Sequence, residues 1–127
     1  MSADPYGKRV RALFAEPAHA GCLQDAVSVQ IDDQGVRLCL CAKQENGEVR
    51  ALRFRAWGCP HMIAAAEAFC RDYEGRQIVD LLEFSASGLM QSLPVPVEKT
   101  GRILVLEDAV RALGTSLRDP RNRTEAD

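Results

Sequence analysis

Residues 54–67 read FRAWGCPHMIAAAE and join two different sequence patterns. Before Gly58, apolar and basic residues alternate, as Phe54 and Arg55 do, which is typical of a β-strand with one buried face. After Gly58 the chain is rich in alanine, and Pro60 stands at a first-turn position that helices tolerate. The stretch therefore predicts a strand that ends near Trp57, followed by the clearest helix of the chain.

Cys59 lies at the junction between these two elements. The unpaired N–H groups and the dipole at the start of a helix favour a thiolate, which is the form of cysteine that binds metals or attacks sulfur. Cysteines that merely cap a helix occupy the same kind of position. The residue pattern leaves both interpretations open.

Three strands are predicted before this junction. Apolar residues alternate with polar ones in residues 26–32 and again in residues 36–41, with turn-forming residues between them. Asn46-Gly47 is a strong signal for a two-residue hairpin, and it leads into the third strand at residues 49–57. We therefore expect an antiparallel meander.

Helical patterns surround the strands. Pro17 follows an amphipathic segment, and prolines near residue 95 disfavour a helix between the later apolar stretches. The predicted helices are residues 5–16, 60–75, 78–84 and 103–117, and the segment 85–101 is predicted to be a loop.

This order, α-β-β-β-α-α-α, separates strands from helices and predicts an α+β fold in which helices cover one face of a three-stranded antiparallel sheet. A chain of 127 residues with 46% hydrophobic content fits one domain, residues 1–127. We expect order over about residues 5–117 and a flexible tail at residues 118–127.

The charge balance excludes several classes of partner. The 16 basic and 18 acidic residues give a formal charge of -2, which offers no footprint for nucleic acid or for an anionic membrane surface. No stretch has the roughly 20 apolar residues that span a bilayer, and no secretory signal pattern opens the chain. We expect a cytoplasmic protein whose five cysteines remain reduced.

Several other cysteines and histidines were weighed as ligands. Cys39 and Cys41 form a C-x-C pattern, for which we favour two small residues on the less buried face of the second strand. His19 and His61 stand near cysteines, so that His19, Cys22, Cys59 and His61 form an alternative zinc set, against a loop position for His19 and a surface position for His61. Without a nucleophile elbow or a phosphate-binding loop, we do not expect an enzyme.

The run FRAWGCPHMIAAAEAF resembles the central motif of the IscU and NifU N-terminal scaffold family of iron-sulfur cluster assembly. Other parts follow in the family's order: the segment 6–17, Asp25 before the first strand, Leu93-Pro94, and Glu107-Asp108-Ala109 in the last helix. The resemblance extends over about residues 5–117.

This resemblance implies a scaffold that receives sulfur from a cysteine desulfurase and assembles an iron-sulfur cluster on three cysteines and an aspartate. Carried over by position, Cys59 is the central ligand, Asp25 is the aspartate ligand, and Cys22 stands one residue before the first cysteine position. Thiolates suit iron-sulfur chemistry, and a carboxylate oxygen is a more labile ligand.

The third family cysteine is missing. Where the family has a His-Cys pair before the last helix, this chain has Lys99-Thr100 or Gly101-Arg102, depending on the register. The loop LPVPVEKTG also departs from the Leu-Pro-Pro-Val-Lys stretch that a specialised chaperone recognises in the family, so chaperone binding is not expected. The alternative to a scaffold that binds iron or a cluster is therefore a degenerate paralogue, a partner-binding or regulatory module without a cluster.

Overall fold

The computed structural model describes residues 18–33, 35–57, 60–92 and 100–119. The predicted helix over residues 5–16 lies outside these ranges, as does most of the predicted tail. No helix within the described ranges is long and apolar enough to cross a membrane.

The sheet has three antiparallel strands in the order in which they occur along the chain: β1 (Val27–Asp33), β2 (Val36–Glu45) and β3 (Glu48–Trp57). β2 continues four residues beyond its predicted end at residue 41, up to the hairpin. Asn46 and Gly47 both have positive φ, 53° and 80°, as a two-residue hairpin with a primed turn requires. The register shifts once between β2 and β3, at Lys43/Gln44.

Four helices follow the sheet: α1 (Pro60–Tyr73), α2 (Ile78–Leu82), α3 (Ala86–Ser92) and α4 (Thr100–Arg118). The prediction of a loop over residues 85–101 was wrong at both of its ends. Two side chains accept backbone N–H groups at the start of α3: Glu107 of α4 accepts that of Ala86 at 2.9 Å, and Ser85 accepts that of Ser87 at 3.3 Å. The prolines that suggested a loop come after α3 and before α4, so they interrupt neither helix.

All four helices pack on one face of the sheet or on each other. α1 lies against β3, α4 lies against β1 and β2, and α2 packs on α4. Leu38, Leu40, Leu52 and Phe54 point from the sheet into this layer and are at most 2% exposed. The prediction of an α+β fold with helices on one face of a three-stranded antiparallel sheet is confirmed.

The edge of β3 that does not pair with β2 forms hydrogen bonds with other parts of the chain. Near the hairpin, the N–H of Val49 donates to Arg76 and its carbonyl accepts the N–H of Gly75, both at 2.8 Å. Further along, the N–H of Leu52 donates to the Glu74 carboxylate at 2.9 Å. These contacts satisfy backbone groups that an open strand edge would leave exposed.

Candidate functional site

The segment that carries Cys22 is attached to the edge of β3. Ala20 forms an isolated parallel bridge with Phe54. The N–H of Gly21 donates to the carbonyl of Phe54 at 2.8 Å, and the N–H of Phe54 donates to the carbonyl of His19 at 3.0 Å. The chain then runs from this edge to the start of β1, at the opposite edge of the sheet, so residues 22–26 connect the two edges.

Cys22 is exposed at the beginning of this connection. Its sulfur lies 3.5 Å from Nη2 of Arg55, which projects from β3 on the face away from the helices. The guanidinium carries a positive charge and presents a hydrogen-bond donor to the sulfur. An anionic thiolate or sulfide suits this position better than a bare metal cation does. The position of Cys22 thus favours chemistry in which sulfur carries negative charge.

Asp25 lies three residues further along the same connection, and its side chain is exposed. Its φ of 56° is in the left-handed region, which aspartate tolerates better than most residues. This turn redirects the chain into β1 two residues later. Both described members of the predicted ligand set, Cys22 and Asp25, therefore lie in one loop and face solvent.

Cys59 lies outside the described residues, but the elements on both sides of it are as predicted. β3 ends at Trp57, which is 49% exposed, and α1 begins at Pro60. A groove of about 340 Å³ borders both this junction and the segment before Cys22. Its lining consists of Ala20, Gly21, Phe54, Arg55, Ala56, Trp57 and Ile63.

Cys41 and Cys70 are buried and poorly suited to metal binding. We expected Cys41 on the less buried face of the sheet, but it is only 5% exposed. The connection before β1 lies against it, and the backbone of Leu23 forms a hydrogen bond with the Cys41 thiol. Burial raises the pKa of the Cys41 thiol, and burial raises that of Cys70 much further. Both thiols stay protonated, and Cys70 packs within the hydrophobic core. Cys39 is half-buried.

The zinc set that includes the two histidines does not fit the structure. The Nδ1 atom of His19 lies 2.7 Å from Glu67, and its Nε2 atom lies 3.3 Å from Glu74, so carboxylates already occupy both ring nitrogens. His61 is only 3% exposed, so the surface position that we considered for it is wrong. The ring of His61 belongs to the interior at the start of α1.

Glu67 and Glu74 are the residues near this site that the sequence analysis missed. Glu67 lies on α1, and Glu74 directly follows the last residue of that helix. Their spacing of seven residues is close to two helical turns, which places both on the same side of the helix. A carboxylate within the run AAAEAF was the available signal, because an acid that faces a core needs a partner.

Within the described ranges, no group of three or more histidine, cysteine, aspartate or glutamate residues is placed to hold a metal ion. Cys22 and Asp25 supply at most two donors there. A complete ligand set thus requires a contribution from outside those ranges, for which Cys59 is the candidate.

Comparisons with known proteins identify one family model and two solved structures of similar fold. The family model described as the NifU-like N terminal domain matches residues 5–122. A solved structure of a nitrogen-fixing NifU-like protein (N-terminal) from Brucella abortus superposes with a TM-score of 0.68 at 16% identity, covering 91% of this chain and 96% of that one. A second, described as a hypothetical protein, gives a TM-score of 0.55 at 20% identity and covers 90% and 86%.

These structural similarities, at such low identity, establish the fold. The comparison with curated proteins gave no match. The match to the family model runs over nearly the whole chain, and it therefore decides the assignment: this chain belongs to the NifU-like N-terminal domain family.

Proposed function

We propose that this chain is a scaffold-like protein of iron-sulfur cluster assembly that binds iron or a labile cluster through Cys59, Cys22 and Asp25. The NifU-like family has a scaffold-type role in that process. The observation that carries the proposal is the shared groove, which is lined by Ala20 and Gly21 before Cys22, and by Trp57 and Ile63 on either side of the position of Cys59 in the sequence.

The donor set suits transient rather than permanent binding. Two thiolates and a carboxylate are three protein ligands, one fewer than iron-sulfur clusters ordinarily have. A small thiol or a partner protein then completes the coordination. Because a carboxylate holds iron less firmly than a thiolate does, the cargo leaves readily, as a scaffold requires.

Arg55 has a place in this scheme because of its contact with Cys22. Cluster sulfides and coordinating thiolates are anionic acceptors, and a guanidinium beside them offsets their charge. The sulfur itself comes from a cysteine desulfurase, which we propose as the main partner. The chain performs no catalysis of its own, and we propose that it acts in the cytoplasm.

Anaerobic reconstitution with ferrous iron and sulfide tests this proposal. We expect a visible charge-transfer band in the wild-type protein, its loss in Cys59→Ala, and a weaker band in Cys22→Ala. Cys39→Ala is the matched control, because Cys39 is a half-buried cysteine on β2. A wild-type protein without a band, or a band of equal strength in Cys59→Ala, would contradict the proposal.

The second candidate function is a partner-binding or regulatory module that keeps the fold without carrying a cluster. The replacement of the family's His-Cys pair by Lys99-Thr100 or Gly101-Arg102 favours it. Such a module would still bind a cysteine desulfurase. Co-purification with the desulfurase at micromolar concentration, together with failed reconstitution, would support the module over the scaffold, and the absence of any complex would exclude it.

A further inference from the structure

His19 connects the segment that leads into Cys22 to helix α1 by two contacts, and to Glu74, directly after the helix, by a third. Its backbone N–H donates to Oε1 of Glu67 at 2.7 Å, and its Nδ1 atom lies 2.7 Å from Oε2 of the same carboxylate. On the other side of the ring, Nε2 lies 3.3 Å from Oε1 of Glu74. The imidazole is thus held between two carboxylates, and its side chain is only 15% exposed.

Two arginines complete the charged surroundings of this ring. Arg71 of α1 donates to Oε2 of Glu67 at 2.8 Å, and Arg53 of β3 donates to Oε2 of Glu74 at 3.1 Å. Each carboxylate therefore has one arginine partner. Glu67 contacts the His19 ring and Arg71 through the same oxygen, whereas Glu74 contacts His19 and Arg53 through different oxygens. Two acids and two arginines balance each other, and the protonation state of His19 decides the net charge of the group.

Both glutamates are ionised over the range in which histidine titrates. Burial alone would raise the pKa of Glu67, but hydrogen bonds from His19 and Arg71 outweigh it and hold the pKa below its ordinary value. At Glu74, burial is likewise outweighed by hydrogen bonds from Leu52, His19 and Arg53, so its pKa is also lowered. Both carboxylates therefore remain acceptors for the imidazole.

The two contacts of the ring can both be hydrogen bonds only when the imidazole carries two protons. A neutral imidazole donates from one nitrogen and presents a lone pair at the other. That lone pair would face a carboxylate oxygen of either Glu67 or Glu74, and one attractive contact becomes repulsive. An imidazolium is therefore the form of the ring that satisfies both contacts at once.

We propose that His19 is a positioning residue whose second proton fastens the segment carrying Cys22 to the edge of β3. The backbone bonds between this segment and Phe54 flank the imidazole directly, since His19 itself supplies one of the acceptors. Loss of the proton weakens the attachment of residues 19–21 while the rest of the sheet is unaffected. Cys22 is then held against Arg55 at acidic pH and released at basic pH. The consequence of this for iron binding rests on the proposed function.

Amide hydrogen exchange on the iron-free full-length protein tests the inference directly. The amides of Gly21 and Phe54 form the attachment, and the amide of Leu40 in the central strand is the internal control. We expect the protection factors of the first two, relative to Leu40, to be about tenfold higher at about pH 5 than at about pH 8, because the attachment loses one charge-assisted hydrogen bond when the imidazole gives up its second proton.

Two variants separate a proton-dependent attachment from a merely structural one. His19→Asn keeps an uncharged donor near the position of Nδ1 and has no titratable group, so the difference between the two pH values should vanish. Glu74→Gln keeps the shape of the second carboxylate and should remove most of the difference. The wild-type measurement remains decisive if either variant fails to fold.

Equal relative protection of Gly21 and Phe54 at both pH values would overturn the inference, as would a pH effect of the same size in His19→Asn. A parallel loss at Leu40 would indicate a change in global stability and would overturn it too. None of these results depends on iron. A failed reconstitution therefore leaves the role of His19 intact, and a failed exchange experiment leaves the scaffold proposal intact.

Discussion

Replacement of the buried carboxylate of Glu67 by an amide is the sharpest test of how the fold holds its N-terminal segment. Glu67 is fully buried and accepts three hydrogen bonds, from the backbone and ring of His19 and from Arg71. In Glu67→Gln, an NH₂ group replaces one of the two oxygens. That group meets a donor whichever way the amide is turned.

The magnitude follows from the exposure of the partners. Hydrogen bonds to charged groups contribute about 1.5–3 kcal/mol each, but the guanidinium of Arg71 is half exposed and regains water when it is released. His19 cannot do so as easily, because it is largely buried. We expect Glu67→Gln to lower the free energy of unfolding by about 2–4 kcal/mol, a large part of the roughly 5–15 kcal/mol typical of a domain.

The assay is urea denaturation at pH values from neutral to acidic, with Arg71→Gln as the matched control at about 0.5 kcal/mol. Because the pKa of folded Glu67 is lowered, its contribution is fully present above the unfolded pKa of about 4.3 and is lost as pH falls through the folded pKa. The difference between wild type and Glu67→Gln should therefore shrink in acid. A loss below about 1 kcal/mol at neutral pH, or a difference that does not shrink, would refute this reasoning.

Two further predictions concern the thiols and the helix packing. Iodoacetamide should modify exposed Cys22 in the native protein but reach Cys70 only after unfolding, since Cys70 is buried with a raised pKa; peptide mass spectrometry measures both. Gly114→Ala places a Cβ 3.2 Å from Cβ of Leu81 and 3.1 Å from Cδ2 of Leu82. We expect a net loss of about 1 kcal/mol in urea denaturation, as the clash exceeds the gain in helix propensity; an increase in stability would contradict it.

The sheet and the first helix were predictable because their signals are local. Alternating residues define a strand whatever surrounds it, and the Asn46-Gly47 turn fixes where β2 ends and β3 begins. The end of β3 and the start of α1, on either side of Cys59, follow from the change in composition at Gly58. These features determine the fold class and the elements next to the site.

The features that were missed depend on residues far apart in the chain. The first N–H of α3 is satisfied by Glu107, 21 residues away, which its own seven residues do not reveal, although Ser85 directly before the helix was an available local start signal. Cys41 is buried because the connection before β1 lies against it. The pairing of His19 with Glu67 joins residues 48 positions apart, and only the fold brings them together.

Of the predicted ligand set, Cys22 and Asp25 lie within the described residues and Cys59 lies outside them, so the set as a whole stays a prediction. The structure places Cys22 and Asp25 in one exposed loop, where both side chains are free to approach a ligand. The contact between Cys22 and Arg55 was not predictable, because the two residues are 33 positions apart, with β1 and β2 between them in the chain. His19 failed as a ligand for the same reason, because its partners Glu67 and Glu74 are distant in sequence.

Mössbauer spectroscopy of protein reconstituted anaerobically with ⁵⁷Fe and sulfide tests the central claim most directly, because it reports the ligands of the iron itself. We predict iron in a thiolate and sulfide environment, lost in Cys59→Ala and retained in Cys39→Ala. Iron bound only by oxygen or nitrogen ligands in the wild-type protein, or a sulfur-ligated signal that survives in Cys59→Ala, would contradict it.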